Sequence, residues 1–465
     1  MSAPPTGISQ PIQIRDDLVA ALEKGCKPAS QWRIGTEHEK FLYDLRDFSA
    51  VPFARDDADA ASGSGDIQSL FSALVSEFGW TPLYEGENVI ALTRDGANIT
   101  LEPGGQFELS GAVFTDLHQT RAETLKHVGE IGTLCRRLGL GALGLGYQPE
   151  LTRDQVPWMP KARYRIMGAY MQKKGQLGLD MMKSTATVQV NLDFSSEADM
   201  VRKLRVSLAL QPVATAMFAN SPFSGGKLNG YRSFRSAIWQ DTDPDRTGGM
   251  DFAFEDGMGF ERYVDYALDV PMYFIHRDGA YLDASGLSFR DFMARKLPLR
   301  PGEMPLKSDW DDHLTTLFPE VRLKSFLEMR GGDGGPVDHV VALSALWTGL
   351  IYDADSLQAA ADLIAGWTPA DRQQLLRDVP RLGLSAQIAG RTVLDIAREL
   401  LALAQAGLRQ RAIPGPEGEG DETAALEPLA WWLDAGQSPA DRLIAAFEGP
   451  WQGDIRHVYR TASMV

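Results

Sequence analysis

From Lys183 to Phe194 the chain alternates. Ala186, Val188, Val190, Leu192 and Phe194 hold one set of positions, and Thr185, Thr187, Gln189, Asn191 and Asp193 hold the other. Successive side chains of a strand point to opposite faces, so this pattern predicts a strand with one core face and one face of amides and hydroxyls. Solvated faces usually carry Lys and Glu, whereas amides and hydroxyls suit a lined cleft. Leu323–Arg330 alternates again, and Ile99–Leu109 reads as a hairpin turning at Pro103-Gly104-Gly105. Phe71, Leu74, Val75 and Phe78 mark an amphipathic helix. Thr115–Leu138 is another, closed by Gly139, and Asp199–Phe218 follows a capping pair of Ser196 and Asp199.

Beyond Val340 the pattern becomes helices with short connections. Thr368-Pro369-Ala370-Asp371 and Ser438-Pro439-Ala440-Asp441 repeat one start signal: a capping hydroxyl, Pro at the first helical position, then an acid. The expected fold is α+β, a mostly antiparallel sheet surrounded by helices, with a helical C-terminal part over about 340–465. Residues 1–13 are expected to be flexible, and 55–65 to be a surface loop. The chemical motifs spread from residue 37 to residue 330, so 14–465 is expected to form a single catalytic domain.

Acids recur at strand parity. Glu37 and Glu39 share one face, and His38 points away as a core histidine. Two such carboxylates repel by about 4 kcal/mol at ~4 Å and an effective dielectric near 20, a penalty that a cation removes. Glu102 and Glu108 sit on the two arms of the glycine hairpin, with Gln106 sharing the parity of Glu108. Glu328 and Arg330 share a face opposite Leu327 and Met329. Together these are five Glu with the amides Gln189 and Asn191, and all-oxygen ligands select Mg²⁺ or Mn²⁺ over zinc. Carboxylate-held Mg²⁺ keeps waters and substrate phosphates, which points to ATP chemistry. A basic group accompanies them: Arg232, Arg235 and Trp239 at helical spacing, and Arg163.

Composition removes other classes. The 465 residues carry a formal charge of -16, and no stripe of Lys and Arg marks a nucleic-acid groove. Cys26 and Cys135 make neither a disulfide framework nor a CxxC metal pair. With no signal peptide and no run of roughly 18 apolar residues, no membrane partner is expected and the cytoplasm is the default compartment. Gly139–Gly144 matches GxGxxG, but a helix precedes it and a strand-like run follows, the reverse of a dinucleotide site.

Long blocks carry a resemblance. WRIGTEHEKF (Trp32–Phe41), LEPGGQFELSG (Leu101–Gly111), TVQVNLDFSSEADM (Thr187–Met200), ALQPVATAMFANSPF (Ala209–Phe223), DYALDVPMYF (Asp265–Phe274) and HLTTLFPEVRLK (His313–Lys324) resemble the plant-type glutamate–cysteine ligases of plants and some bacteria. The resemblance implies a glutamine-synthetase-like cup of antiparallel strands. It implies ATP, Mg²⁺ (with Mn²⁺ as an alternative), L-glutamate and L-cysteine as ligands, and γ-glutamylcysteine, the first product of glutathione biosynthesis. It places acidic metal ligands at Glu37, Glu39, Glu102, Glu108 and Glu328, with Gln189 and Asn191 nearby, and substrate-carboxylate binders at Arg163 and Arg235. The expected site adds Gln189 to the metal ligands, Asn191 and Arg330 as ATP contacts, and Arg232, Trp239 and Tyr273 as substrate contacts. Arg330 and Lys183 are expected to stabilise developing charge. Loss of Glu37 or Glu328 is expected to end turnover and leave the fold intact. A monomer or weak homodimer is expected.

Plant members carry regulatory disulfides. The matching positions are Arg121 with Val341 and Ala284 with Leu299, and none is cysteine, so switching by those bridges cannot occur. Two alternatives stay open: a carboxylate–amine ligase with another acceptor, and a non-catalytic nucleotide-binding protein of the same fold.

Overall fold

The computed structural model describes residues 9–56, 63–418 and 420–465. Among them nine strands join in one sheet: β1 (Ile34–Asp44), β2 (Thr81–Glu85), β3 (Asn88–Arg94), β4 (Ala97–Leu101), β5 (Phe107–Ser110), β6 (Leu140–Leu143), β7 (Thr187–Leu192), β8 (Val321–Leu323) and β9 (Leu327–Asp333). The order is β8-β9-β7-β1-β5-β4-β3-β2, with β6 on the far end of β1 and every pairing antiparallel. The packing helices are α1 (Ile67–Phe78), α2 (Leu117–Leu138), α3 (Ala162–Met171), α4 (Gly178–Ser184), α5 (Glu197–Met217), α6 (Phe234–Trp239), α7 (Val337–Ile351) and α8 (Val393–Arg411).

Strand parity organises the core. Val188, Val190 and Leu192 on β7 join Leu327 and Met329 on β9 in a buried layer covered by α5 and α7. On β1 the even residues also turn inward: His38 and Lys40 are buried beneath α2. The Lys40 ammonium donates to the Phe107 carbonyl at 3.1 Å and lies 3.1 Å from His127 Nε2. Burial pulls its pKa down to about 7. His38 is a core residue as expected, but among the described residues neither of its ring nitrogens has a hydrogen-bond partner.

Helix ends follow the capping signals. Gly139 closes α2 at φ 67°, where a side chain on Cβ would be strained. Thr368 and Ser438 both form capping boxes, with Asp371 and Asp441. The GxGxxG segment is therefore a helix cap followed by β6. Among the described residues no single helix is long and apolar enough to cross a membrane.

Three expected boundaries change. The strand read over 183–194 starts only at Thr187, because Gly178–Ser184 is helical. The single strand read over 323–330 is a tight hairpin, closed by the Lys324 N–H donating to the Phe326 carbonyl at 2.8 Å. The start expected to be flexible through residue 13 is ordered in its last part. Residues 1–8 lie outside the described residues, but Ile12 is buried and donates to the Pro305 carbonyl, and Lys307 donates to the Gln10 carbonyl. In the 55–65 loop, residues 57–62 likewise lie outside the described residues, and the Arg55 side chain donates to the Gly65 carbonyl at 3.0 Å.

Two buried histidines make acid stability testable. His313 and His339 are packed away from water, and burial lowers each pKa to about 4 from a usual 6.5. The folded state thus binds their protons more weakly than the unfolded chain. Their contribution is complete above pH ~6.5 and is lost as pH falls toward ~4, by up to ~1.4 kcal/mol per pH unit for each ring. Urea titrations at pH 7.5 and 5.5 are expected to show this loss, and replacing His339 by Gln should flatten it.

Candidate active site

The acids predicted by parity meet on the open face of the sheet. Glu37 lies across from Gln189, Glu39 across from Glu108, and Glu328 across from Asn191. Glu102 stands just past β4, its backbone N–H held by the Gln106 carbonyl at 3.0 Å. Gln106 itself shapes the turn, accepting from the Gly104 N–H and donating to the Met182 and Thr185 carbonyls. Glu37, Glu39, Glu102, Glu108, Gln189 and Glu328 line one cavity with Arg163, Arg235, Trp239 and Arg330.

The acids fall into two electrostatic groups. Glu37 accepts from Asn191 Nδ2 at 2.8 Å and Gln189 Nε2 at 3.4 Å, and Glu39 accepts from the Thr187 N–H at 3.0 Å. Among the described residues neither has a basic group at ion-pair distance. Burial raises both pKa values, reinforced at Glu37 by Glu108 and Glu328 and at Glu39 by Glu108 and Glu102. Glu328 is the opposite. Burial opposes its ionisation, but Arg322 at 2.6 Å, Lys324 at 3.4 Å and Arg330 at 2.7 Å hold its pKa well below the usual range.

Among the described residues no three acids or histidines already form a closed metal cage. What fits a hard divalent cation is the first group: buried carboxylate oxygens without a base at ion-pair distance, with the Asn191 Oδ1 beside them lacking a partner among the described residues. Glu328 is the least available of the expected ligands because its charge is already spent on three cations.

The basic residues also divide. Arg163 on α3 and Arg235 on α6 line the cavity, and among the described residues the buried Nε of each has no hydrogen-bond partner. A buried N–H left without an acceptor is costly, and an anion entering the cavity is the kind of group that can supply one. Trp239 and Arg330 lie on the same wall, 5.9 Å from ring centroid to guanidinium carbon.

Three expected site residues are elsewhere. Lys183 lies in the last turn of α4 rather than beginning a strand, and its ammonium sits over the Trp158 ring at 5.1 Å, outside the cavity lining. Arg232 does not share the face of Arg235, because Ser233 caps α6 and Arg232 precedes the cap. Its guanidinium pairs with Asp441 at 3.0 Å. Tyr273 is a core residue whose hydroxyl lies 3.3 Å from Asp243 and whose ring carries Arg246 at 3.8 Å. Its neighbour Phe274 faces the cavity instead. Asn191 reaches the site through Glu37 rather than as part of the cavity wall.

Arg322 and Lys324 were missed. Reading 323–330 as one strand hides the hairpin that sets Arg322 directly across from Glu328. Phe318, Tyr164 and Thr187 also line the cavity. At the place of the first plant disulfide, Arg121 forms an ion pair with Asp338 at 3.0 Å, and both cysteines of the chain are free.

Known proteins resemble this chain throughout its length. It is 48% identical to the chloroplastic glutamate–cysteine ligase of Brassica juncea over 96% of this chain and 83% of that one. It is 48% identical to chloroplastic glutamate–cysteine ligase B of Oryza sativa subsp. japonica, over 99% and 90%. The default expectation of a cytoplasmic enzyme is thereby overturned, since these relatives are chloroplast proteins. The fold is shared with the crystal structure of a glutamate–cysteine ligase from Francisella tularensis in complex with AMP, at TM-score 0.52 and 13% identity over 92% of this chain and 88% of that one. Residues 33–461 match Glutamate-cysteine ligase family 2, and with the identity to its plant members the chain belongs to this family of ligases.

Proposed function

We propose that the cavity joins L-cysteine to the γ-carboxylate of L-glutamate at the expense of ATP, giving γ-glutamylcysteine. The observation that supports this most is the meeting, in one cavity, of two guanidiniums whose buried Nε has no hydrogen-bond partner among the described residues, those of Arg163 and Arg235, with buried acids that have no basic group at ion-pair distance among the described residues. The guanidiniums suit the carboxylates of two amino acids, and the acids suit a cation that accompanies ATP. A monomer or weak homodimer is part of this proposal.

The reaction needs no protein nucleophile. The γ-carboxylate oxygen attacks the γ-phosphorus of ATP, releasing ADP and leaving an acyl phosphate. The cysteine amine then attacks the acyl carbon and phosphate departs. Arg330, Arg322 and Lys324 supply fixed positive charge for the phosphoryl oxygens. Trp239, Phe274 and Tyr164 narrow the apolar wall and limit water that would hydrolyse the acyl phosphate. Glu37, Glu39, Glu102 and Glu108, with Gln189, would hold Mg²⁺, which offsets charge on the phosphates.

Purified chain with ATP, Mg²⁺ and glutamate is expected to release ADP rapidly only when cysteine is added. Arg163→Lys and Arg235→Lys are each expected to raise KM for one amino acid by at least ~10-fold while nucleotide binding changes little. ADP release that depends on another amine but not on cysteine would establish a different acceptor. ATP binding without ADP release would establish a non-catalytic role.

A further inference from the structure

We infer that Asp333 is the positioning residue that holds Arg235 in the cavity, acting through two serine hydroxyls. The inference rests on the reading of Arg235 as a substrate-carboxylate binder.

Simple alternation along β9 would send residue 333 to the core with Leu327 and Met329. A bulge between Met329 and Gly332 shifts the register, so Gly332 pairs with Val188 and Asp333 with Thr187. Asp333 is thereby turned to the face of Thr187 and Gln189. Glycines line the bulge where neighbouring side chains pack closely. A Cβ at Gly331 would meet Gln211 Nε2 at 2.5 Å, and one at Gly332 would meet Leu343 at 2.5 Å.

Asp333 is fully buried, and each carboxylate oxygen takes a serine hydroxyl: Ser221 Oγ at 2.7 Å on Oδ2 and Ser233 Oγ at 2.8 Å on Oδ1. The Asn220 N–H adds 2.7 Å to Oδ2. Both hydroxyls then accept from the first turn of α6. Ser221 Oγ takes the Arg235 N–H at 3.2 Å, and Ser233 Oγ takes the Ser236 N–H at 3.1 Å. With both hydroxyl protons committed to the carboxylate, the oxygen lone pairs face the helix. The guanidinium end of Arg235 donates to the Arg330 carbonyl at 2.8 Å. Backbone and side chain of Arg235 therefore both hang from β9, the strand that carries Glu328 and Arg330. Asp333 sets the spacing between the carboxylate-binding wall and the phosphate-binding wall.

The test is a double-mutant cycle. Asp333→Asn keeps the shape but removes charge and one acceptor. It is expected to raise KM for the amino acid held by Arg235 by at least ~10-fold, to change kcat by less than ~3-fold and to leave the ATP Kd unchanged. In an Arg235→Gln background the same substitution is expected to add less than ~2-fold. Additive effects, or an unchanged KM in Asp333→Asn while Arg235→Gln raises it, would overturn the inference alone. If Arg235→Gln leaves both amino-acid KM values unchanged, the reading of Arg235 fails and the inference falls with it. Should Asp333→Asn not fold, Ser221→Ala and Ser233→Ala carry the cycle. Each is expected to raise the same KM by ~3-fold in a manner coupled to Arg235, and additivity or no effect overturns the inference.

Discussion

Glu39→Gln is expected to lower kcat by at least ~10³-fold, about 4 kcal/mol of transition-state stabilisation, and to leave the metal-free protein at least as stable as its parent. Both halves follow from the same surroundings. Glu39 is buried directly across from Glu108 and has no basic group at ion-pair distance among the described residues. Burial first, then Glu108 and Glu102, push its pKa well above the usual range. A folded pKa above the unfolded one means that folding is most favourable below pH ~4.5 and is penalised as pH rises through the folded value. The neutral amide removes that penalty, so the metal-free variant is expected to melt higher at pH 7.5, by on the order of 1–2 °C per kcal/mol gained in a chain this long. Mg²⁺ removes the same penalty in the parent, so added Mg²⁺ should raise the melting temperature of the parent more than that of the variant. Calorimetric scans with and without Mg²⁺, beside initial rates, check this. A variant with near-parental kcat, or one that gains as much from Mg²⁺ as the parent, would remove Glu39 from the site.

The acids were legible because alternation is a property of the strand itself. Once Thr187–Leu192 and Ile34–Asp44 are strands, the parity of Glu37, Glu39, Gln189 and Asn191 is settled before any partner is known. Position along an element was harder. Lys183 and Arg232 fell outside the site because an element began later than its pattern suggested, at Thr187 and at Phe234, and a shift of a few residues at a boundary re-aims a side chain completely. Tyr273 failed by one residue: Phe274 has the opposite parity and faces the cavity. Arg322, Lys324 and Asp333 were hidden for a different reason. The hairpin at 324–326 and the bulge after Met329 are irregularities in the ladder, and an uninterrupted alternating pattern carries no sign of either. The pairs of glycines before and after Asp333 were the one available signal, since glycine inside a strand marks a bulge or a close approach.

Glu328 was expected to be expendable for folding, and its surroundings reverse that expectation. Its carboxylate is 1% exposed and is shared by Arg322, Lys324 and Arg330. Arg322 is itself buried and also donates to the Thr315 and Leu317 carbonyls, so it cannot swing out to water when its acid is removed. Glu328→Ala thus leaves three mutually repelling cations around an empty space, and breaking a buried pair in this way costs ~3–5 kcal/mol. The sign of the pH dependence differs from that of Glu39. The folded pKa of Glu328 lies well below 4.5, so its stabilisation is present above pH ~4.5 and is lost as pH falls through the folded value. The gap in stability between parent and Glu328→Gln is therefore expected to be widest at neutral pH and to close in acid. The same substitution frees three cations for a polyanion. Tripolyphosphate without divalent metal should raise the melting temperature of Glu328→Gln more than that of the parent, while kcat falls at least ~100-fold. A variant as stable as the parent at pH 7.5, with no greater response to tripolyphosphate, would mean that the three cations are not held by this carboxylate and that Glu328 is free to act as a metal ligand alone.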